Sequence, residues 1–141
     1  MNKYERWLKI LLWGFGVPPA LAVVPFVMPR SWMSRAHEWL GLGLLPDKPI
    51  VEYLARYASG MSALYGLLLL LLASDVRRYA AIITFQAWMI MALSAVGLVL
   101  GFRAGMPAWW MIGDLVSCWL CCVAMLWLQK RISRATLNAK P

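Results

Sequence analysis

The sequence predicts an all-α protein: a four-transmembrane-helix bundle with a short amphipathic surface helix in the first extracytoplasmic loop. Three observations carry that expectation. Of the 141 residues, 62% are hydrophobic and 14% are charged, against roughly 25% charged in a soluble domain. The apolar residues fall into four long runs, each close to the length that crosses a bilayer. Lys and Arg, which leave a net charge of +8, gather between those runs instead of along one face. A nucleic-acid partner would call for a basic stripe on a soluble fold, so the partner indicated is the lipid bilayer and no nucleic acid. One integral membrane domain over 1–141 is expected, with spans near 10–28, 53–73, 79–102 and 108–128 and a surface helix near 31–42.

The first run, Ile10 to Met28, is 19 residues without a charge and comes after Lys3, Arg6 and Lys9. Pro18, Pro19 and Pro25 remove backbone donors, which predicts a kink near Pro18 and fraying toward Pro29. Ala20-Leu21-Ala22 has the form of a signal-peptide cleavage site, but the run stays apolar beyond it, which favours a retained span.

Between the first two spans, Trp32, Ala36, Trp39 and Leu40 fall on one helical face and Ser31, Arg35 and Glu38 on the other. Tryptophan favours the headgroup level, so the segment is expected to lie on the outer surface. The second span is entered through Pro49-Ile50-Val51-Glu52. Pro49 suits a first helical turn, with Asp47 near its positive end. Ser74-Asp75 can cap the third span, and Ser74 to Arg78 is too short for anything but a tight antiparallel hairpin of helices. The third span, Tyr79 to Phe102, is uncharged; the fourth, Ala108 to Leu128, carries one charge, Asp114.

Four spans put the N-terminal tail, the second loop and the C-terminal tail on one side. That side holds nine cations (Lys3, Arg6, Lys9, Arg77, Arg78, Lys130, Arg131, Arg134 and Lys140), and the other five (Arg30, Arg35, Lys48, Arg56 and Arg103). The richer side is expected in the cytoplasm, with both termini there.

At 100° per residue, Glu52, Ala55, Arg56, Ser59, Ser62, Ala63 and Gly66 share a face of the second span. Gln86, Ile90, Leu93, Ser94, Gly97 and Gly101 share one on the third, and Asp114, Ser117, Cys118, Cys121 and Met125 one on the fourth. Membrane helices pack through small residues and keep polar groups from lipid, so the three stripes are expected to face one another. Gly97 and Gly101 form a GxxxG match that suits an intramolecular notch. Asp114 costs roughly 2.5–3.5 kcal/mol near a span centre and needs a partner. Arg56 is the expected one, with Glu52 a turn above and Arg103 as competing cation. The candidate polar cluster is Glu52, Arg56, Ser59, Gln86, Arg103, Asp114 and Ser117, either a ligand site or a device that fixes helix register.

Cys118, Cys121 and Cys122 could hold a soft metal or exchange thiols, although cysteine is also an ordinary small core residue. The single His37 excludes a bis-histidine haem in a monomer. No nucleophile–base–acid set, phosphate loop or acidic metal cage is present in the sequence, and it names no cofactor.

From Glu52 to Ile83, a charged aromatic entry, a small-residue face and a leucine run lead into Asp75-Val76-Arg77-Arg78-Tyr79. This stretch resembles the DoxX-like and BphX-like group of small bacterial membrane proteins. The resemblance implies four spans, a bacterial inner membrane and an accessory role, some members being similar to subunits of quinone-linked oxidoreductases. Three functions are therefore expected as alternatives. The first is a non-catalytic subunit or accessory protein, beside a membrane redox enzyme, another membrane subunit or a second copy of itself. The second is a small-molecule or ion handler using Glu52, Arg56 and Asp114, and the third a thiol or soft-metal carrier.

Overall fold

The structure, a computed structural model, describes all residues except Met1, Leu40, Leu42 and 138–141. Among the described residues it is all-helical, with α1 (Lys3–Ala20), α2 (Val23–Val27), α3 (Arg30–Trp39), α4 (Pro49–Ser74), α5 (Ala80–Arg103) and α6 (Ala108–Leu137). Four stretches are long and apolar enough to cross a membrane: Lys3–Val27, Pro49–Ser74, Ala80–Arg103 and Ala108–Ala135. Each contains one of the four expected runs almost whole. The chain divides into two compact units, Leu12–Leu71 and a unit made of Met1–Leu11 with Leu72–Pro141.

Within Leu12–Leu71, α1 runs through Pro18 and Pro19 and breaks at Leu21–Ala22, three residues beyond the expected kink. The two prolines leave the carbonyls of Gly14 and Phe15 without their usual donors. The chain then tightens: Ala22 N–H donates to Pro19 O at 3.0 Å, one residue short of the α-helical register. Helix resumes as α2 instead of fraying, and stops at Met28, whose extended ψ of 152° is what a succeeding proline imposes. Pro29 O then accepts the N–H of Trp32 and starts α3. A helix, α3, stands where the amphipathic segment was expected, and it buries Met33 and leaves Trp32 and Trp39 exposed. Leu40, assigned to its apolar face, lies outside the described residues. Pro49 opens α4 as expected.

Two helices in this unit, α1 and α4, approach closely at Gly16 and Gly66. A Cβ on Gly66 would lie 2.5 Å from Gly16 O and 2.8 Å from Ala20 Cα, and closer still to Ala20 N. Ala63, one turn earlier, is buried on the same face. With no water to expel between apolar spans, such backbone proximity and its dispersion contacts hold them together.

In the other unit, α5 packs against α6, which turns Cys121, Cys122, Met125, Leu128 and Ile132 inward at three- and four-residue spacing. The connection uses Gly105 at φ +77°, a left-handed residue that lets Met106 N–H reach back to Gly101 O at 3.0 Å. Trp119 Nε1 donates to Ser94 Oγ at 3.0 Å and ties the two helices laterally. Of the GxxxG pair, Gly101 receives the side chain of Met111, whereas a Cβ at Gly97 would meet nothing within 4 Å.

The turn Asp75–Tyr79 closes on Asp75, whose Oδ1 accepts the N–H groups of Arg77 and Arg78 at 3.2 and 3.1 Å. The expected cap therefore organises the turn, while α5 itself starts after Tyr79. The Arg78 N–H holds the Asp75 carboxyl below its ordinary range against the opposing effect of burial, aided by the Arg77 N–H and the charges of Lys9 and Arg78.

Candidate functional site

Polar side chains in an apolar helical protein are the first place to look for chemistry, because each is costly to keep from water. The described residues hold two ion-paired clusters, one in each unit.

The cluster in Leu12–Leu71 is built on the first turns of α4. Glu52 and Arg56 stand one turn apart, so Arg56 Nε and Nη2 both donate to Glu52 Oε1, at 3.0 and 2.8 Å. Arg56 Nη1 donates to Phe26 O at 2.9 Å, a carbonyl near the end of α2. The Phe26 ring lies over Gly60, where a Cβ would be 3.0 Å from the ring carbon Cδ2. Arg30 completes the group. It bridges Glu52 Oε2 at 3.4 Å and Asp47 Oδ1 at 2.5 Å, and reaches Pro46 O at 3.4 Å. Two cations thus face two carboxylates, and the ends of α2 and α3 are tied to α4 by charge as well as by packing.

Glu52 and Arg56 were both legible in the sequence as candidates, and the structure brings them together. Arg30 and Asp47 were not; their signal was the charge of opposite sign flanking a loop that must return to the same helix end. Ser59, on the same face, donates to Ala55 O at 2.8 Å. Ser62, placed on that face by the helical wheel, is exposed.

The remaining candidates belong to the other unit. Asp114 and Ser117 are exposed along α6; Ser117 Oγ donates to Asp114 O at 2.9 Å, and the Asp114 carboxylate is in none of the ion pairs of the described residues. Asp114 and Arg56 fall in different units, and their pairing stays an expectation. Gln86 lies on α5, and Arg103, the last residue of α5, is exposed. Cys118 is half-buried, and Cys121 and Cys122 are buried, all as free thiols on the packed side of α6. Among the described residues no three His, Cys, Asp or Glu side chains are grouped to hold a metal ion. His37 Nδ1–H donates to Gly43 O at 2.8 Å, a bond that steadies the end of α3.

The second cluster went unnoticed in the sequence. Glu5 is 6% exposed, the most hidden acid of the described residues, and Arg77 Nε donates to its Oε1 at 2.7 Å, with Nη2 on the same oxygen. Nearby, Lys9 Nζ donates to Ser74 O at 3.0 Å at the carbonyl end of α4, and Gln129 Nε2 reaches Val76 O at 3.5 Å. The start of α1, the Asp75–Tyr79 turn and the later part of α6 therefore meet at one level, and that level carries most of the basic residues. A single acid among basic residues before the first span, facing a later Arg-Arg turn, was the available signal.

Compared with known protein families, curated proteins and solved structures, the chain finds no match in any of the three.

Proposed function

We propose that this protein is a small non-catalytic subunit or accessory protein of a bacterial inner-membrane assembly, acting beside a membrane redox enzyme, the role implied by its resemblance to the DoxX-like and BphX-like group, some of whose members are similar to subunits of quinone-linked oxidoreductases. The observation that carries the reading is how the polar groups are spent. Glu52, Arg56, Arg30 and Asp47 neutralise one another, Glu5 is taken by Arg77, and Ser59, Thr84, Ser94 and Ser117 donate to carbonyls of their own helices. Groups committed in this way hold helices in place and leave little for turnover. The exposed faces of the four spans present large aromatic and aliphatic side chains, suited to lipid and to neighbouring helices.

The topology proposed with it places both termini in the cytoplasm and α3 on the outer surface. It is supported by the meeting of the α1 start, the Asp75–Tyr79 turn and the later part of α6 at one basic level. A fluorescent protein fused after residue 141 should light up, and alkaline phosphatase at the same point should stay inactive; the reverse pattern refutes the topology. For the function, the chain should co-purify in a mild detergent at fixed stoichiometry with one membrane enzyme, and its deletion should lower that enzyme's assembled amount. Turnover by the isolated chain would overturn the reading.

A further inference from the structure

The basic end of the unit formed by Met1–Leu11 and Leu72–Pro141 contains a groove of about 590 Å³ between α1 and α6. Its floor is apolar, made by Leu11, Ala124 and Leu128, and Tyr4, Trp127 and Lys3 stand at its polar end. Tyr4 and Trp127 meet edge to face across it, with ring centroids 6.1 Å apart, so the two helices are braced at that level. A cation rests on each ring: Lys3 Nζ is 5.2 Å from the Tyr4 centroid and Arg131 Cζ 5.1 Å from that of Trp127. Arg6 lines an adjoining polar recess with Asn2 and Lys3.

The charge here is one-sided. Of the acids in this unit, Glu5 is buried against Arg77, Asp75 is taken by the backbone of its own turn, and Asp114 belongs to the first turns of α6. Among the described residues Lys3, Arg6 and Arg131 are in no ion pair. An apolar trough ending in three uncompensated cations and an aromatic rim matches a molecule with a hydrocarbon tail and an anionic head.

We propose that this groove is a binding site for an anionic phospholipid, its phosphate among Lys3, Arg6 and Arg131 and an acyl chain over Leu11, Ala124 and Leu128. The positions of the cations on aromatic faces hold them at headgroup level, where basic recesses between spans select anionic lipids.

Native mass spectrometry of the purified full chain, released from detergent containing equal dioleoylphosphatidylglycerol and dioleoylphosphatidylcholine, tests this. The wild type should retain the phosphatidylglycerol about fivefold or more in preference, the order expected for one cation at an anionic surface. The pair Lys3→Gln with Arg131→Gln should abolish that preference. The charge-matched pair Arg78→Gln with Arg134→Gln, at the same end but off the groove, should keep it. Ala124→Trp, which fills the trough and leaves every charge in place, should lose retention of either lipid. Equal retention of the two lipids by the wild type overturns the proposal, and so does an equal loss in the charge-matched pair. Retention unchanged in Ala124→Trp, or a second polypeptide in place of lipid, also overturns it. Far-UV circular dichroism of each variant separates lost binding from lost fold, and the wild-type and Ala124→Trp results decide the matter if the double variants unfold.

Discussion

Replacing Gly66 by alanine adds one methyl group where α4 lies against the α1 backbone. That methyl would lie 2.5 Å from Gly16 O and 2.8 Å from Ala20 Cα, with Ala20 N nearer still. Carbon contacts are comfortable at about 3.5–4.0 Å, so the helices must part by roughly 1 Å. All three obstacles are backbone atoms, so no side-chain rotation relieves the clash. Overpacking of this kind costs about 1–3 kcal/mol, and alanine returns up to about 1 kcal/mol through helix propensity. The net expectation is about 1–2 kcal/mol of destabilisation, roughly a five- to thirtyfold fall in the folded-to-unfolded ratio. Gly97→Ala supplies the contrast. Nothing lies within 4 Å of its new methyl, so the propensity gain stands alone and the change should be neutral or stabilising. Unfolding by rising SDS fraction in mixed micelles, tracked by far-UV circular dichroism, measures both. A Gly66→Ala variant that unfolds at the wild-type SDS fraction or above it, or a Gly97→Ala variant that proves the more damaged, would refute the reasoning.

The polar groups and thiols yield further expected outcomes. Arg77→Ala should lose about 1–3 kcal/mol by stranding the buried Glu5, discounted toward the lower end because the Arg77 side chain is 58% exposed, and a cycle with Glu5→Gln should recover part of it. Arg56→Gln should lower the SDS fraction at mid-unfolding while Asp114→Asn leaves it unchanged or raised, since Arg56 holds Glu52 and Phe26 O and the Asp114 carboxylate is exposed; equal losses would support the Asp114–Arg56 pair expected from sequence. A membrane-permeant maleimide should label Cys118 before Cys121 and Cys122, read by mass spectrometry after digestion. For pH, the Asp75 carboxyl is held low in the folded chain, so its contribution is present above the unfolded pKa and is lost as pH falls through the folded one; Asp75→Asn should flatten that acid-side loss, and NMR titration of the side-chain carbon should show a midpoint below 3.8.

The helices were legible in the sequence because a span is specified by length and lack of charge, two properties that need no partner. Pro49 and Asp75 were legible because a helix start and a turn are local. Glu52 and Arg56 were legible as neighbours on one face because they are a helical turn apart, although the sequence pointed to Asp114 as the partner of Arg56. The long-range features were not. Glu5 and Arg77 are separated by 72 positions, and no periodicity links them. The helix-approach motif drew attention to Gly97, whereas the tight contact uses Gly16 and Gly66, which stand in different spans and form no spaced pair. The cysteines stood out by rarity, a chemical cue, and the structure uses Cys121 and Cys122 as small core side chains. The wheel placed Gly66 and Ala63 correctly on an inward face, but it could not say that α1 would fill that face.

The distance along the chain between Glu5 and Arg77 also constrains how the protein is made. Synthesis runs at about 5–20 residues per second, so the acid in the first helix waits roughly 4–14 s before its arginine emerges. Through that interval Glu5, set among Lys3, Arg6 and Lys9, lacks the arginine that covers it in the folded chain. It can dwell at the water boundary or use a temporary cation, and it docks only once the Asp75–Tyr79 turn has been translated. Biogenesis is thereby made to depend on the later half of the chain, and truncation before Arg77 should leave an N-terminal helix that membrane quality control can recognise as orphaned.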